Sequence, residues 1–348
     1  MNIAVDAMGG DHAPRVAVLG AIEAAEELGI KVTLVGNMDI IQKELASHPS
    51  TGCVSVFHCR ETVQMDEAPL RAVRQKKDSS IVVAFDLVKR GEADAVVSAG
   101  NSGATLASGV LALGKIEGVE RPAIAGIFPV ERGYVVLIDV GANVDCRPTH
   151  LFQFGAMAHV FAASCLGMKN PSIGLLSIGE EGSKGNELVR LTRQLFEQSH
   201  MNFVGNVEGR DIFAGDVSII VCDGFVGNVA LKLSEGMAEA VTGWLRSELK
   251  DSIAGKAALL FGRRSLEKFK KRLNYEEYGG APLLGINGVG IICHGKSSTS
   301  AIKNAVRLAV QYVNNRLIEN MVEQLPLWLK GRPAMRGDIN GVRGNCHE

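Results

Sequence analysis

Seven short runs of apolar, β-branched residues recur along this 348-residue chain: IAVDA from Ile3, VTLVG from Val32, AVVSAG from Ala95, YVVLIDVG from Tyr134, SIGLLSIG from Ser172, VSIIVCDG from Val217 and GVGIICHG from Gly288. They are continuously apolar, which marks strands buried on both faces. Amphipathic stretches lie between them, as at Arg15–Gly29 and Ser300–Leu317. The alternation predicts a three-layer α/β/α fold around a mostly parallel sheet. With 46% hydrophobic residues, a large core can form from one α/β unit over residues 1–325.

Five runs end alike, in glycine with small polar or charged residues: SAGNSGA, DVGANVD, SIGEEGSKGNE, CDGFVGN and CHGKSST. In parallel sheets ligands bind beyond the carboxyl ends of strands, and helix N-termini aim N–H groups there. Glycine lets backbone approach a ligand closely. The repeated ending therefore predicts an anion-binding cleft along one rim of the sheet, and the alternative for each loop is ordinary turn chemistry. Lys184, flanked by Gly182 and Gly185, is the first candidate for phosphate or oxyanion charge. Asn186 and Asn228 suit a carbonyl oxygen, while Asn101, Ser102, Gly103 and Asn143 could orient phosphate. Asp139 and Asp223 each end a strand, followed by Gly224 and Gly227, and Lys232 lies nine residues beyond Asp223. Asp6, Gly9, Gly10, Asp11 and His12 line the first strand-to-helix turn, and His294 ends the last strand, where a histidine could protonate a departing group. Each of these residues has a plainer reading as a cap, turn or solvated residue.

Several chemistries lose their usual support. GIICHGKS at Gly290–Ser297 fits the phosphate-loop expression G-x-x-x-x-G-K-[ST], but its variable positions read as strand rather than turn. No G-x-G-x-x-G follows the first strand, and neither H-E-x-x-H nor G-x-S-x-G occurs. No metal or cofactor is expected. A net charge of −1 and a pI near 6.7 give no reason to expect nucleic acid as a partner. Seven cysteines without a C-x-x-C read as reduced thiols of a cytosolic protein. The opening MNIAVDAMGG reads directly as strand, without a signal peptide, and no apolar run reaches the length of a membrane span.

From Ser234 to Asn274 the rhythm changes to a helical hairpin broken near Gly262. Its tip sets Leu259, Leu260 and Phe261 beside Arg263 and Arg264, in a stretch to Arg272 with a local charge of +5. Such a tip suits anionic lipid or an acidic protein, or else seals a dimer. Beyond Pro326 the periodicity fades, and a poorly ordered tail over 326–348 is expected.

DAMGGDHAP from Asp6, SAGNSGA from Ser98, DVGANVDC from Asp139, GEEGSKGNE from Gly179, CDGFVGNVALK from Cys222 and YGGAPLLGINGVGIICHGKS from Tyr278 together resemble the PlsX family, in order and over almost the whole chain to Leu325. The resemblance implies a phosphate acyltransferase that joins the acyl group of acyl-ACP (acyl carrier protein) to inorganic phosphate. It implies a fold similar to phosphotransacetylases and isocitrate-type dehydrogenases, a homodimer, no metal, and peripheral contact with the membrane, where the acyltransferase PlsY would take the acyl phosphate to glycerol 3-phosphate. An acidic carrier protein would meet either the hairpin basics or Arg71, Arg74, Lys76 and Lys77, and the acyl chain an apolar groove involving Leu245, Leu249 or Leu259. A phosphotransacetylase-like enzyme using acyl-CoA, a non-catalytic organiser of lipid enzymes and a nicotinamide dehydrogenase are the competing readings.

Overall fold

A computed structural model describes residues 1–48, 52–130, 133–250 and 279–329. In chain order the elements are β1 (Asn2–Asp6), α1 (Arg15–Leu28), β2 (Lys31–Gly36), α2 (Met38–Ala46), β3 (Val54–His58), α3 (Pro69–Gln75), α4 (Ser80–Lys89), β4 (Ala95–Ser98), α5 (Ser102–Leu113), β5 (Ala123–Val130), β6 (Gly133–Ile138), α6 (Pro148–Cys165), β7 (Ile173–Leu176), α7 (Glu187–Glu197), β8 (Phe203–Val207), β9 (Ile219–Val221), α8 (Gly224–Lys250), β10 (Ala281–Leu284), β11 (Val289–Ile292), α9 (Thr299–Asn314) and α10 (Leu317–Leu329). All seven apolar runs became strands, and both amphipathic stretches became helices, α1 and α9.

The strands form one 11-stranded sheet in the order β3-β2-β1-β4-β11-β10-β5-β6-β9-β7-β8. Neighbours are parallel from β3 to β11 and again from β6 to β8. Between the two blocks, β11–β10, β10–β5 and β5–β6 are antiparallel. Three reversals in succession leave the second block running opposite to the first. The carboxyl ends of β1, β4 and β11 therefore emerge on one rim, and those of β6, β7 and β9 on the other. This corrects the one-rim expectation. The strands that cause it, β5 and β10, carry Pro129 and Pro282, residues that argue against strand in a sequence.

Alternating residues feed two cores. Ile3, Val5, Val136 and Ile138 join the one under α1, α6, α9 and α10. Ala4, Val135 and Leu137 join the other, under α3, α4 and α5, with Ala230 and Leu231 of α8 against it. This is the α/β/α sandwich. On its second face a gap is left between α5 and α8.

Two sequence boundaries move. The helix expected from Ser234 begins at Gly224, directly after β9, and residues 326–329, expected in the tail, continue the last helix. Pro326 lies inside α10, Leu325 is fully buried, and the Trp328 ring stands 4.4 Å from that of His159 on α6. Leu259, Leu260, Phe261, Arg263 and Arg264 lie outside the described residues. No helix among the described residues is long and apolar enough to cross a membrane.

Candidate active site

Most of the strand-end polar residues hold the loops together. Asp6, 4% exposed, accepts from Ser98 Oγ at 2.7 Å and from the Met8 N–H at 3.2 Å. Burial pushes its carboxyl above the usual range, and these bonds oppose that. Asn101 caps α5 by accepting from the Ala104 N–H, and its amide donates to the carbonyls of Met65 and Glu67. Asp11 and His12 are exposed, and the Asp11 N–H reaches the Gly295 carbonyl at 2.8 Å.

On the opposite rim Asp139 is fully buried. Its Oδ1 accepts from the N–H groups of Ile124, Gly141 and Ala142 at 3.0–3.2 Å, and its Oδ2 from the N–H and amide of Asn143 at 2.7 and 2.9 Å. Burial raises this carboxyl too, against five donors. Asn143 donates its remaining amide hydrogen to the Pro122 carbonyl. Asp223 caps α8 by accepting from the Val226 N–H at 2.9 Å.

The glycines are there for packing. A Cβ on Gly9 would stand 2.6 Å from Asp6 Oδ2 and one on Gly103 2.6 Å from Pro69; on Gly224 it would be 2.7 Å from the Asn143 carbonyl. On Gly227 it would sit 1.9 Å from the Asp139 carbonyl oxygen. Gly10 takes φ 97°, where side chains are strained. The structure places Asp6, Gly9, Gly10, Asp11, Asn101, Gly103, Asp139, Asn143, Gly224 and Gly227, all expected to contact phosphate, at or just beyond the strand ends. None lines the groove described next, and most have their polar atoms or their space taken up inside the protein.

That groove, of about 280 Å³, occupies the gap between α5 and α8 over the reversed strands. Its floor is apolar, from Ile124, Gly126, Phe128 and Val140. Ser102, the first residue of α5, and His294, just past β11, come from one rim. Asn228, Leu231, Lys232 and Glu235 come from α8, which starts at the other. Their spacing of i, i+3, i+4 and i+7 puts them on one helix face. Glu235 Oε2 lies 2.8 Å from Lys232 Nζ and 3.9 Å from His294 Nε2, and its side chain is 13% exposed. The Lys296 N–H donates to His294 Nδ1 at 3.1 Å, so the neutral ring carries its proton on Nε2. A cation, amide and hydroxyl donors, and an imidazole thus face an apolar trough, which suits an anion beside an apolar chain.

The structure brings Asn228, Lys232, Ser102 and His294 to this groove and leaves Lys184, Gly185 and Asn186 outside it. Those three belong to the loop leaving β7. Asn186 caps α7 by accepting from the Val189 N–H at 2.9 Å, and the Lys184 N–H bonds the Glu181 carbonyl. The physical reason is the face each helix covers: Leu195 and Phe196 of α7 enter the first core, whereas α8 packs on the second. Glu235 was missed by sequence reasoning. Its helical spacing from Asn228 and Lys232, i+7 and i+3, is the signal that could have found it.

Two thiols in the strand-end loops, Cys146 and Cys59, are poor nucleophiles. Burial pushes Cys146, near Asp139, up to about 12, as it does Cys59. At neutral pH thiolate is negligible at such values.

The family model described as "Fatty acid synthesis protein" matches residues 1–320. Phosphate acyltransferase from Geotalea uraniireducens is 55% identical over 335 residues, 95% of this chain and 97% of that protein. The chain belongs to the PlsX family of phosphate acyltransferases. Phosphate acyltransferase from Geobacter sulfurreducens is 53% identical, covering 98% of this chain and all of the relative. This PlsX-family chain is therefore an acyltransferase of fatty acid and phospholipid synthesis. Among solved structures, EutD phosphotransacetylase from Staphylococcus aureus overlays with a TM-score of 0.57 at 15% identity, covering 90% of this chain and 94% of that one. A branched-chain phosphotransacylase from Enterococcus faecalis gives 0.55 at 14% identity, with 90% and 99% covered. These likenesses concern the fold.

Proposed function

We propose that the enzyme transfers the acyl group of a long-chain acyl-ACP to inorganic phosphate in the groove between α5 and α8, and that the acyl phosphate then serves glycerol 3-phosphate acylation. One observation carries this reading. Residues of four separate family motifs (Ser102, Gly141, Asn228 with Lys232, and His294) line one trough whose floor is apolar. Lys232, Ser102 and Asn228 hold phosphate at the polar end, and the Asn228 amide also faces the thioester carbonyl. The start of the acyl chain lies along Ile124, Gly126, Phe128 and Val140.

Phosphate brings its own nucleophilic oxygen, so the reaction needs no covalent enzyme intermediate. Holding that oxygen in line with the carbonyl is worth several kcal/mol, up to about 7–11 in ideal geometry. A donor aimed at the developing oxyanion adds about 3 kcal/mol. The test is hydroxamate detection of acyl phosphate, with orthophosphate and either palmitoyl-ACP or palmitoyl-CoA. Phosphate-dependent release of free ACP is expected; turnover of the CoA ester alone would favour a phosphotransacetylase-like donor instead.

The partners in this proposal are ACP, orthophosphate, a second copy of the chain, and a cytoplasmic membrane face carrying the PlsY acyltransferase. The second copy is supported by α8, where Phe225, Val229, Leu233 and Met237 recur every four residues at 52–67% exposure, with Trp244 beyond them at 65%. No described residue of α8 after Gly227 is fully buried in the single chain. A monomer mass by light scattering would contradict the dimer.

A further inference from the structure

A carboxylate in a groove that takes phosphate needs an explanation, because it repels the dianion. Glu235 is mostly buried there, and one oxygen serves two partners from opposite halves of the molecule: Lys232 Nζ on its own helix and His294 Nε2 at the end of β11. The imidazole is fixed from its other side too, since the Lys296 N–H occupies Nδ1 and the Nε2 edge faces Glu235. A carboxylate facing that edge of the ring orients it and stabilises it when it becomes cationic.

The reaction itself supplies a task for such a ring. In HPO₄²⁻ + RC(O)SR′ → RC(O)OPO₃²⁻ + R′SH, a phosphate oxygen forms the new C–O bond. The C–S bond breaks with its electron pair staying on sulfur. One proton must leave phosphate and one must reach sulfur, so an imidazole that accepts the first and gives up the second balances the step. We propose that Glu235 is a positioning residue that holds His294 for this proton transfer to the departing thiolate, while fixing Lys232 beside the phosphate. The inference rests on the acyl phosphate reading above.

The experiment compares two thioester donors with the full-length enzyme. One has a pantetheine leaving thiol, which departs more readily when protonated. The other is a 4-nitrothiophenyl ester, whose thiolate departs without a proton. Glu235→Gln is expected to lower kcat on the pantetheine ester about 100-fold, the low end for proton-transfer catalysis because a thiolate is a fair leaving group. On the aryl ester the loss is expected to be smaller, about 10-fold or less, since sulfur needs no proton there and only the phosphate proton remains to be taken up. Glu235→Asp keeps the charge and is expected to recover part of the pantetheine rate, which keeps the proposal testable should the Gln variant fold poorly. Equal losses on both esters, or no loss on either, would overturn the role of Glu235 while leaving the acyl phosphate reading intact. A wild-type enzyme that forms acyl phosphate from neither ester would overturn both together.

Discussion

Replacing Gly227 with alanine is expected to destabilise the protein by about 3 kcal/mol or more, with activity falling alongside. The new Cβ would lie 1.9 Å from the Asp139 carbonyl oxygen, which is backbone and has little room to yield. β6 is held at that point by the Asp139 N–H to the Cys222 carbonyl and by the five donors on the Asp139 carboxylate. The first turn of α8 would have to lift instead, carrying Asn228, Lys232 and Glu235 away from the groove. Gly236→Ala on the same helix is the control, because nothing lies within 4 Å of its added Cβ. It should stabilise by about 0.4–1 kcal/mol, since alanine loses less backbone entropy than glycine. Urea unfolding of both variants checks the opposite signs, and a neutral Gly227→Ala would mean that α8 is not seated as described.

Lys232→Met is expected to raise the KM for phosphate at least about 10-fold while the acyl donor KM changes little. Methionine keeps the packing stem and removes the ammonium. A charge-assisted hydrogen bond to an anion contributes about 1.5–3 kcal/mol, which is a factor of roughly 10 to 150 in binding. Lys232 is half-exposed and shares its charge with Glu235, so the lower part of that range applies. Steady-state kinetics with phosphate as the varied substrate decides it. A normal phosphate KM in the Met variant would remove Lys232 from the anion site.

Local pattern carried much of the fold. Buried strands such as β4 and β11 announce themselves because their runs are almost wholly apolar, and α1 and α9 because their apolar faces repeat at helical spacing. The reversal at the centre of the sheet was hidden, since strand direction depends on which neighbour a strand finds, and β10 has only four residues, one of them proline. β3 and β8, at the edges, are only partly buried and lack the continuous apolar signature. The site followed the same division. His294 and Ser102 were legible as strand-end residues, and Asn228 and Lys232 as the start of the next helix. Lys184 and Asn186 share that grammar but sit on a loop whose helix packs across the sheet, and sequence does not reveal the face a helix will take. Asp6 and Asp139, expected as phosphate ligands, accept hydrogen bonds from the protein's own strand ends and loops, because a carboxylate that gathers loop donors and one that gathers a substrate occupy the same sequence position.

The central claim is that the inorganic anion binds in the groove between the two opposed halves of the sheet. Arsenate, a phosphate mimic with a strong anomalous signal, locates that anion directly in a crystal. The account predicts an arsenic peak within hydrogen-bonding reach of Ser102, Asn228 and Lys232. A peak on the Gly179–Gly185 loop, with none in the groove, would contradict it.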